Sequence, residues 1–248
     1  MRKNHRFRLT DIVLGSVIVL LILLLFFRGS PFNQGASNYE KFISAENVTR
    51  VNVVTDVGDV FISMYEGDEI RAYLSDKEGE MLSKKYKLTV KENGGRVTIK
   101  SKRKSKLAAG FVISVELPSK QYEQLQIHAE AANINVGTVH AAGYVLNTSV
   151  GNIDVDAAQG IINADTKVGN IQLNLQTISN DIVARTEVGN IVVETNETPL
   201  ALQTLSKTGI GTVEISLPNL QDGSIGTDGP LVKLTSEVGD VSLLLAIE

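Results

Sequence analysis

The chain has 248 residues, 43% hydrophobic and 21% charged, a balance that fits a folded globular protein and excludes a disordered one. A formal charge of −4 and a pI near 5.5 leave no basic footprint for nucleic acid. The absence of cysteine excludes disulfides, thiolate metal sites, a cysteine nucleophile and a lipoprotein-type lipid anchor.

At the N-terminus, Arg2, Lys3, Arg6 and Arg8 precede an apolar run from Ile12 to Phe27, interrupted only by Gly15 and Ser16. At ~1.5 Å per residue a helix over that run is about 24 Å long, enough to cross a bilayer once Arg8 and Arg28 snorkel. No Ala-x-Ala cleavage pattern follows Phe27, so residues 1–28 read as a cytoplasmic tail and a single-pass transmembrane helix rather than a signal peptide. The basic flank places the N-terminus in the cytoplasm and the body outside the cell membrane. Residues 29–47, with Pro31, Gly35 and Ser37, are expected to be a tether.

Residues 48–118 read as an irregular N-terminal β cap, with strands over Val51–Ile62, Glu69–Leu74, Tyr86–Val90, Val97–Ile99 and Phe111–Leu117 and a hairpin turn at Asn93-Gly94-Gly95. Within this region lies the densest charge run outside the anchor, Lys100, Lys102, Arg103, Lys104 and Lys106. It suits contact with a polyanion, either lipid head groups or phosphate-bearing wall polymers, at about 1 kcal/mol per basic residue near a membrane. A solvated loop explains it equally.

Residues 119–248 carry an internal repeat. Thr166-Lys167-Val168-Gly169-Asn170-Ile171 returns at Thr148 and Thr186, in looser form at Thr208 and Ser236, and once earlier at Thr55. The corners fall at Gly58, then Ala132, Gly151, Gly169, Gly189, Gly211 and Gly239, and the later ones follow a period of about twenty residues. Such a period, with each unit reading strand, corner, strand, predicts stacked rungs of a single-stranded β-solenoid, β-helix-like and all-β. Two-faced and three-faced coils both fit the spacing.

Counting from each glycine, positions minus five, minus three, minus one, plus two and plus four are predicted to point inward; the minus-one set is Val57, Val150, Val168, Val188, Ile210 and Val238. Glycine supplies the positive φ of a corner and asparagine is the next most tolerant residue. Stacking in register aligns Gly151, Asn152, Gly169, Asn170, Gly189 and Asn190, with Asn133 before them, into a corner ladder of hydrogen-bonded amides, and the threonines into a ladder of hydroxyls. Asp59 and Asp240, the aspartate variants, stand in the first and last copies, where stacked carboxylates would not repel one another. After Val241 no polar capping element follows, so the C-terminal rung is either covered by an earlier segment or a surface for self-association.

No catalytic motif, cofactor fingerprint or metal-ligand spacing stands out. His128 points outward by parity. Asp154 and Asp156 share one strand face and are the sole candidates for an acid/base pair or a weak cation site. With tryptophan absent and aromatics at 5%, sugar-stacking platforms are scarce.

The N-terminal anchor followed by Thr-x-x-Gly-Asn/Asp-Ile units resembles a bacterial family of so-called putative adhesins with β-strand repeats, which includes LiaG-type membrane-anchored proteins of envelope-stress operons. The resemblance runs from about Val48 to Leu245, with Ala132 and Thr212 departing from its pattern. It implies an accessory, non-enzymatic role in the bacterial cell envelope and brings no catalytic residues. The expected function is therefore a membrane-anchored extracytoplasmic scaffold or binding protein linked to stress response, with other envelope-stress membrane proteins as partners. An adhesin or wall-polymer-binding module is the first alternative, and a glycan-processing enzyme the second.

Overall fold

A computed structural model describes residues 40–75, 86–103, 110–156 and 158–246. The expected cytoplasmic tail and transmembrane helix lie outside the described residues. Within those residues no helix is long and apolar enough to cross a membrane, and every named element is a strand.

The first strand, β1 (Glu40–Ser44), falls inside the segment expected to be a tether. Around Gly58 run β2 (Arg50–Val57) and β3 (Asp59–Tyr65), followed by β4 (Glu69–Ser75), β5 (Tyr86–Asn93), β6 (Arg96–Arg103) and β7 (Val112–Pro118). The repeats then pair β8 (Gln124–Ala131) with β9 (Ile134–Val136), β10 (Gly143–Val150) with β11 (Ile153–Asp156), and β12 (Ile161–Val168) with β13 (Ile171–Leu175). Next come β14 (Ile182–Val188) with β15 (Ile191–Thr195), and β16 (Leu202–Ile210) with β17 (Val213–Ser216). A short β18 (Ser224–Ile225) precedes β19 (Leu231–Val238) and β20 (Val241–Leu245).

Each rung places one strand in a leading sheet, turns at the corner, and places the next in a trailing sheet. The leading sheet runs β18-β16-β19-β14-β12-β10-β8-β2-β6-β5 and the trailing sheet β1-β4-β7-β3-β9-β11-β13-β15-β20-β17. The coil is thus two-faced and solenoid-like, with parallel ladders between successive rungs. Residues 48–118 are more than a cap: β2 with β3, and β6 with β7, are full parallel rungs. Only β1, β4 and β5, which pair antiparallel, close that end.

Chain order and stacking order differ at both ends. The rung β2/β3 lies between β6/β7 and β8/β9, and β19/β20 lies between β14/β15 and β16/β17. Of the two outcomes expected for the C-terminal rung, the structure shows the first: β20 is covered by the earlier strand β17, and the outermost rung is β16/β17.

Burial follows the repeat with one exception. On the rungs inside the outermost one, minus five (Leu146, Ala164, Ala184, Leu234), minus three (Thr148, Thr166, Thr186, Ser236), plus two and plus four are buried, whereas Val213 at plus two of the outermost rung is 43% exposed. Of the minus-one residues Val57 is partly buried against the core, but Val150, Val168, Val188, Val238 and Ile210 are 54%, 48%, 48%, 43% and 70% exposed. The ladder pairs Thr148 with Thr166 and Val150 with Val168 but skips the residues between them. The alternation therefore slips just before the corner, and the valine side chain turns out to solvent.

The corners account for every peptide group. The glycine N–H donates to the minus-one carbonyl of the next rung (Gly151 to Val168, Gly169 to Val188, both 2.9 Å). The glycine carbonyl accepts the threonine hydroxyl of that rung, Thr166 to Gly151 at 3.0 Å and Thr186 to Gly169 at 2.9 Å. The expected hydroxyl-to-hydroxyl ladder is replaced by these bonds; among the described residues only Ser101 and Thr55 join hydroxyl to hydroxyl, at 2.8 Å. The asparagines stack as expected but bond differently. Each side-chain Oδ1 accepts the backbone N–H of the following corner, from Asn133 to Asn152, Asn170, Asn190 and Asp240 at 2.8–2.9 Å.

Only an acceptor is needed, so aspartate fills the role at Asp59, which takes Asn133 N–H, and at Asp240, which takes Thr212 N–H. Asp240 is one rung in from the end, and four asparagines separate it from Asp59. Thr212 on the outermost rung has no following corner to serve. The inward residues of that rung's leading strand are Thr204, Ser206 and Thr208, beside Val232, Leu234 and Ser236. Hydroxyls face the stack's end where apolar side chains face its middle.

A Cβ on Gly169, at φ +152°, would lie 2.0 Å from the Gly151 carbonyl oxygen, so Gly169→Ala is expected to cost about 3 kcal/mol or more in chemical denaturation. Asn170→Asp keeps the acceptor and should stay within about 0.5 kcal/mol. Asn170→Ala strips it and should cost about 1 kcal/mol.

Candidate binding surface

The outer face of the leading sheet, at the end closed by antiparallel strands, forms a groove of about 790 Å³. Its walls come from β5 and β6 on one side and β2 and β8 on the other. The β5/β6 hairpin turns on Gly94 and Gly95, at φ +58° and +76°, the two successive positive angles of a two-residue hairpin loop. That turn pairs Asn93 with Arg96 and, by counting back, Lys91 with Thr98, Thr89 with Lys100 and Lys87 with Lys102.

Lys87, Lys91, Lys100 and Lys102 are exposed, and none makes an ion pair among the described residues. Like charges directly opposite, as in Lys87 and Lys102, destabilise a sheet by a few tenths to about 1 kcal/mol. An anion lying across the pair removes that cost. Asp56 and Glu130 line the far side of the groove, so positive charge is concentrated on the hairpin.

Of the polyanion contacts expected from sequence, Lys100 and Lys102 belong to this groove and sit on a strand rather than in a loop. Arg103 ends the same strand, and Lys104 and Lys106 lie outside the described residues. Sequence reasoning missed Lys87 and Lys91, which are far from the charge run in sequence. The corner residues Gly151, Asn152, Gly169, Asn170, Gly189 and Asn190 align as a ladder whose work is structural. His128 does face outward beside the groove, its ring nitrogens 2.6 Å from Gln126 Nε2 and 3.2 Å from Asn147 Nδ2.

Asp154 and Asp156 project from β11 on the outer face of the trailing sheet. Asp156 accepts a 2.8 Å bond from Asn174. Burial and, next, the Asp156 charge push Asp154 above the usual carboxylate range. No cluster of three or more potential metal ligands occurs among the described residues.

Residues 114–244, from β7 to β20, match the Toastrack DUF4097 family. The chain belongs to this Toastrack family. No curated protein matches its sequence. Among solved structures, a putative cell adhesion protein from Clostridium sporogenes is similar at a TM-score of 0.51 and 11% identity, covering 84% of this chain and 99% of that one. A putative adhesin from Bacteroides fragilis gives 0.46 and 12%, covering 86% and 98%. At such identity the likeness to the Clostridium protein is one of Toastrack fold. It matches the all-β, two-sheet repeat architecture.

A raised carboxyl pKa in the folded state means that folding favours the protonated form, so this contribution to stability is present at low pH and lost as pH rises through the folded value. Asp154→Asn is therefore expected to raise the Tm at pH 7. The gain should vanish below the ordinary carboxylate range, as measured by thermal melts from pH 3 to 8.

Proposed function

We propose that this chain is a membrane-anchored, extracytoplasmic and non-enzymatic binding scaffold of the bacterial envelope, of the LiaG type and linked to envelope stress, that holds a phosphate-bearing polymer. The observation that carries the reading is the hairpin groove, where four exposed lysines without ion pairs converge and one pair stands directly opposed. The basic N-terminus and apolar run of residues 12–27 support tethering to the cell membrane. A tether of this kind confines the groove to the space next to the bilayer, where anionic wall polymers and lipid head groups are concentrated. The adhesion naming of the Clostridium protein fits a binding role rather than a catalytic one.

Full-length protein in detergent micelles should be retained on immobilised poly(glycerol phosphate) in low salt and released as salt screens the lysines. Replacing Lys87, Lys91, Lys100 and Lys102 together by alanine should weaken retention at least tenfold, at about 1 kcal/mol per lysine. Unchanged retention in that variant, with the β circular dichroism intact, overturns the polymer-binding reading.

A further inference from the structure

The two ends of the stack are finished in opposite ways. At one end β1, β4 and β5 add antiparallel strands, and the outermost leading strand carries Lys87 and Lys91, charges that keep a further strand from adding. At the other end β16 and β17 are both outermost, and β18 pairs with β16 only at Leu202 and Gln203. Gly223 also takes the N–H of Thr204, and beyond Thr204 no strand pairs with this edge among the described residues.

Thr204 N–H points to that edge, where it meets Gly223. Peptide groups alternate sides along a strand, so those of Ser206 and Thr208 point the same way. On β17 the Thr212 carbonyl faces β20, which puts the groups of Val213 and Ile215 on the open side. Around this unpaired backbone Leu205, Ile210 and Val213 are 53%, 70% and 43% exposed.

We infer that this edge pairs with the same edge of a second copy, about a two-fold axis parallel to the strands. Such an axis brings β16 of one copy antiparallel beside β17 of its partner, so both sheets continue across the junction. Charge selects this arrangement. Lys207 lies on the outer face of β16 and Glu214 on the outer face of β17, both exposed and a similar distance from the Gly211 corner. Lys207 then comes beside the partner's Glu214, and Ile210 beside the partner's Val213. An axis normal to the sheets would instead set β16 against its own copy. The lysine-bearing opposite end blocks head-to-tail growth, so the assembly closes as a dimer rather than extending as a fibre. The inference stands apart from the polyanion groove, which lies at the other end of the stack.

The chain has no cysteine, so introduced thiols report only the intended contact. Full-length K207C/E214C in detergent micelles should form a cross-linked dimer on mild oxidation, whereas K207C alone and E214C alone should not. Sedimentation of the unmodified chain should give two copies per particle. An Ile210→Asp/Val213→Asp variant with intact β circular dichroism should raise the dimer dissociation constant at least tenfold. A monomer at every concentration, particles larger than a dimer, cross-linking by K207C alone, or a dimer indifferent to Ile210→Asp/Val213→Asp would each overturn the inference.

Discussion

Everything in this fold rests on how closely successive corners approach. The carbonyl of one corner glycine points at the Cα of the next, at a distance where a methyl group has no room. At Gly151, Gly169, Gly189, Gly239 and Gly211 that contact is possible only for glycine, and it fixes where each of those rungs lies on its neighbour. With the corners locked in register, the threonines three residues earlier reach the glycine carbonyls and the asparagines one residue later reach the next N–H. The close approach would otherwise strand peptide groups between rungs, and each of these side chains repairs one of them. The repeat is thus a packing requirement together with the two hydrogen-bonding residues that make it affordable.

The apolar interior follows from the same register. Leucine, isoleucine, valine and alanine at minus five, plus two and plus four stack into continuous columns between the two sheets. Each fully buried large aliphatic side chain contributes about 1.5–3 kcal/mol relative to exposure. On the leading strand of the outermost rung, Thr204 and Ser206 replace the apolar residues that their partners Val232 and Leu234 supply, which lowers the cost of leaving that end uncovered. Where a column reaches the other end, antiparallel strands close over it. Side chains on the outer faces are free of the repeat, and there the hairpin gathers Lys87, Lys91, Lys100 and Lys102.

Much of this was legible in the sequence. The Thr-x-Val-Gly-Asn-Ile phrase revealed the rungs, the glycine corners and the stacked asparagines, because backbone demands at a tight corner leave few choices of residue. The valine before each glycine misled, since β-branching looks the same on a buried strand and on an exposed one. The reordered ends also escaped, although Gly211 and Gly239 are more widely spaced than successive corners from Ala132 to Gly211, and the extra length is what lets the chain pass over one rung and return inside it. For the binding groove the charge run at Lys100 was visible. Lys87 and Lys91 needed one further step, counting back from the Gly94-Gly95 turn to see which residues face one another.

The inserted rungs change how the molecule comes apart. In a coil wound strictly in sequence, the last strand has a neighbour on one side and is the first to peel. Here β20 is held by β15 and β17 at once, and β2 by β6 and β8. A pull on the chain just after β20 meets a strand gripped on both flanks. The weak seam is moved to β16 to β18, which precede β19 and β20 in sequence, so loosening need not start from the last strand.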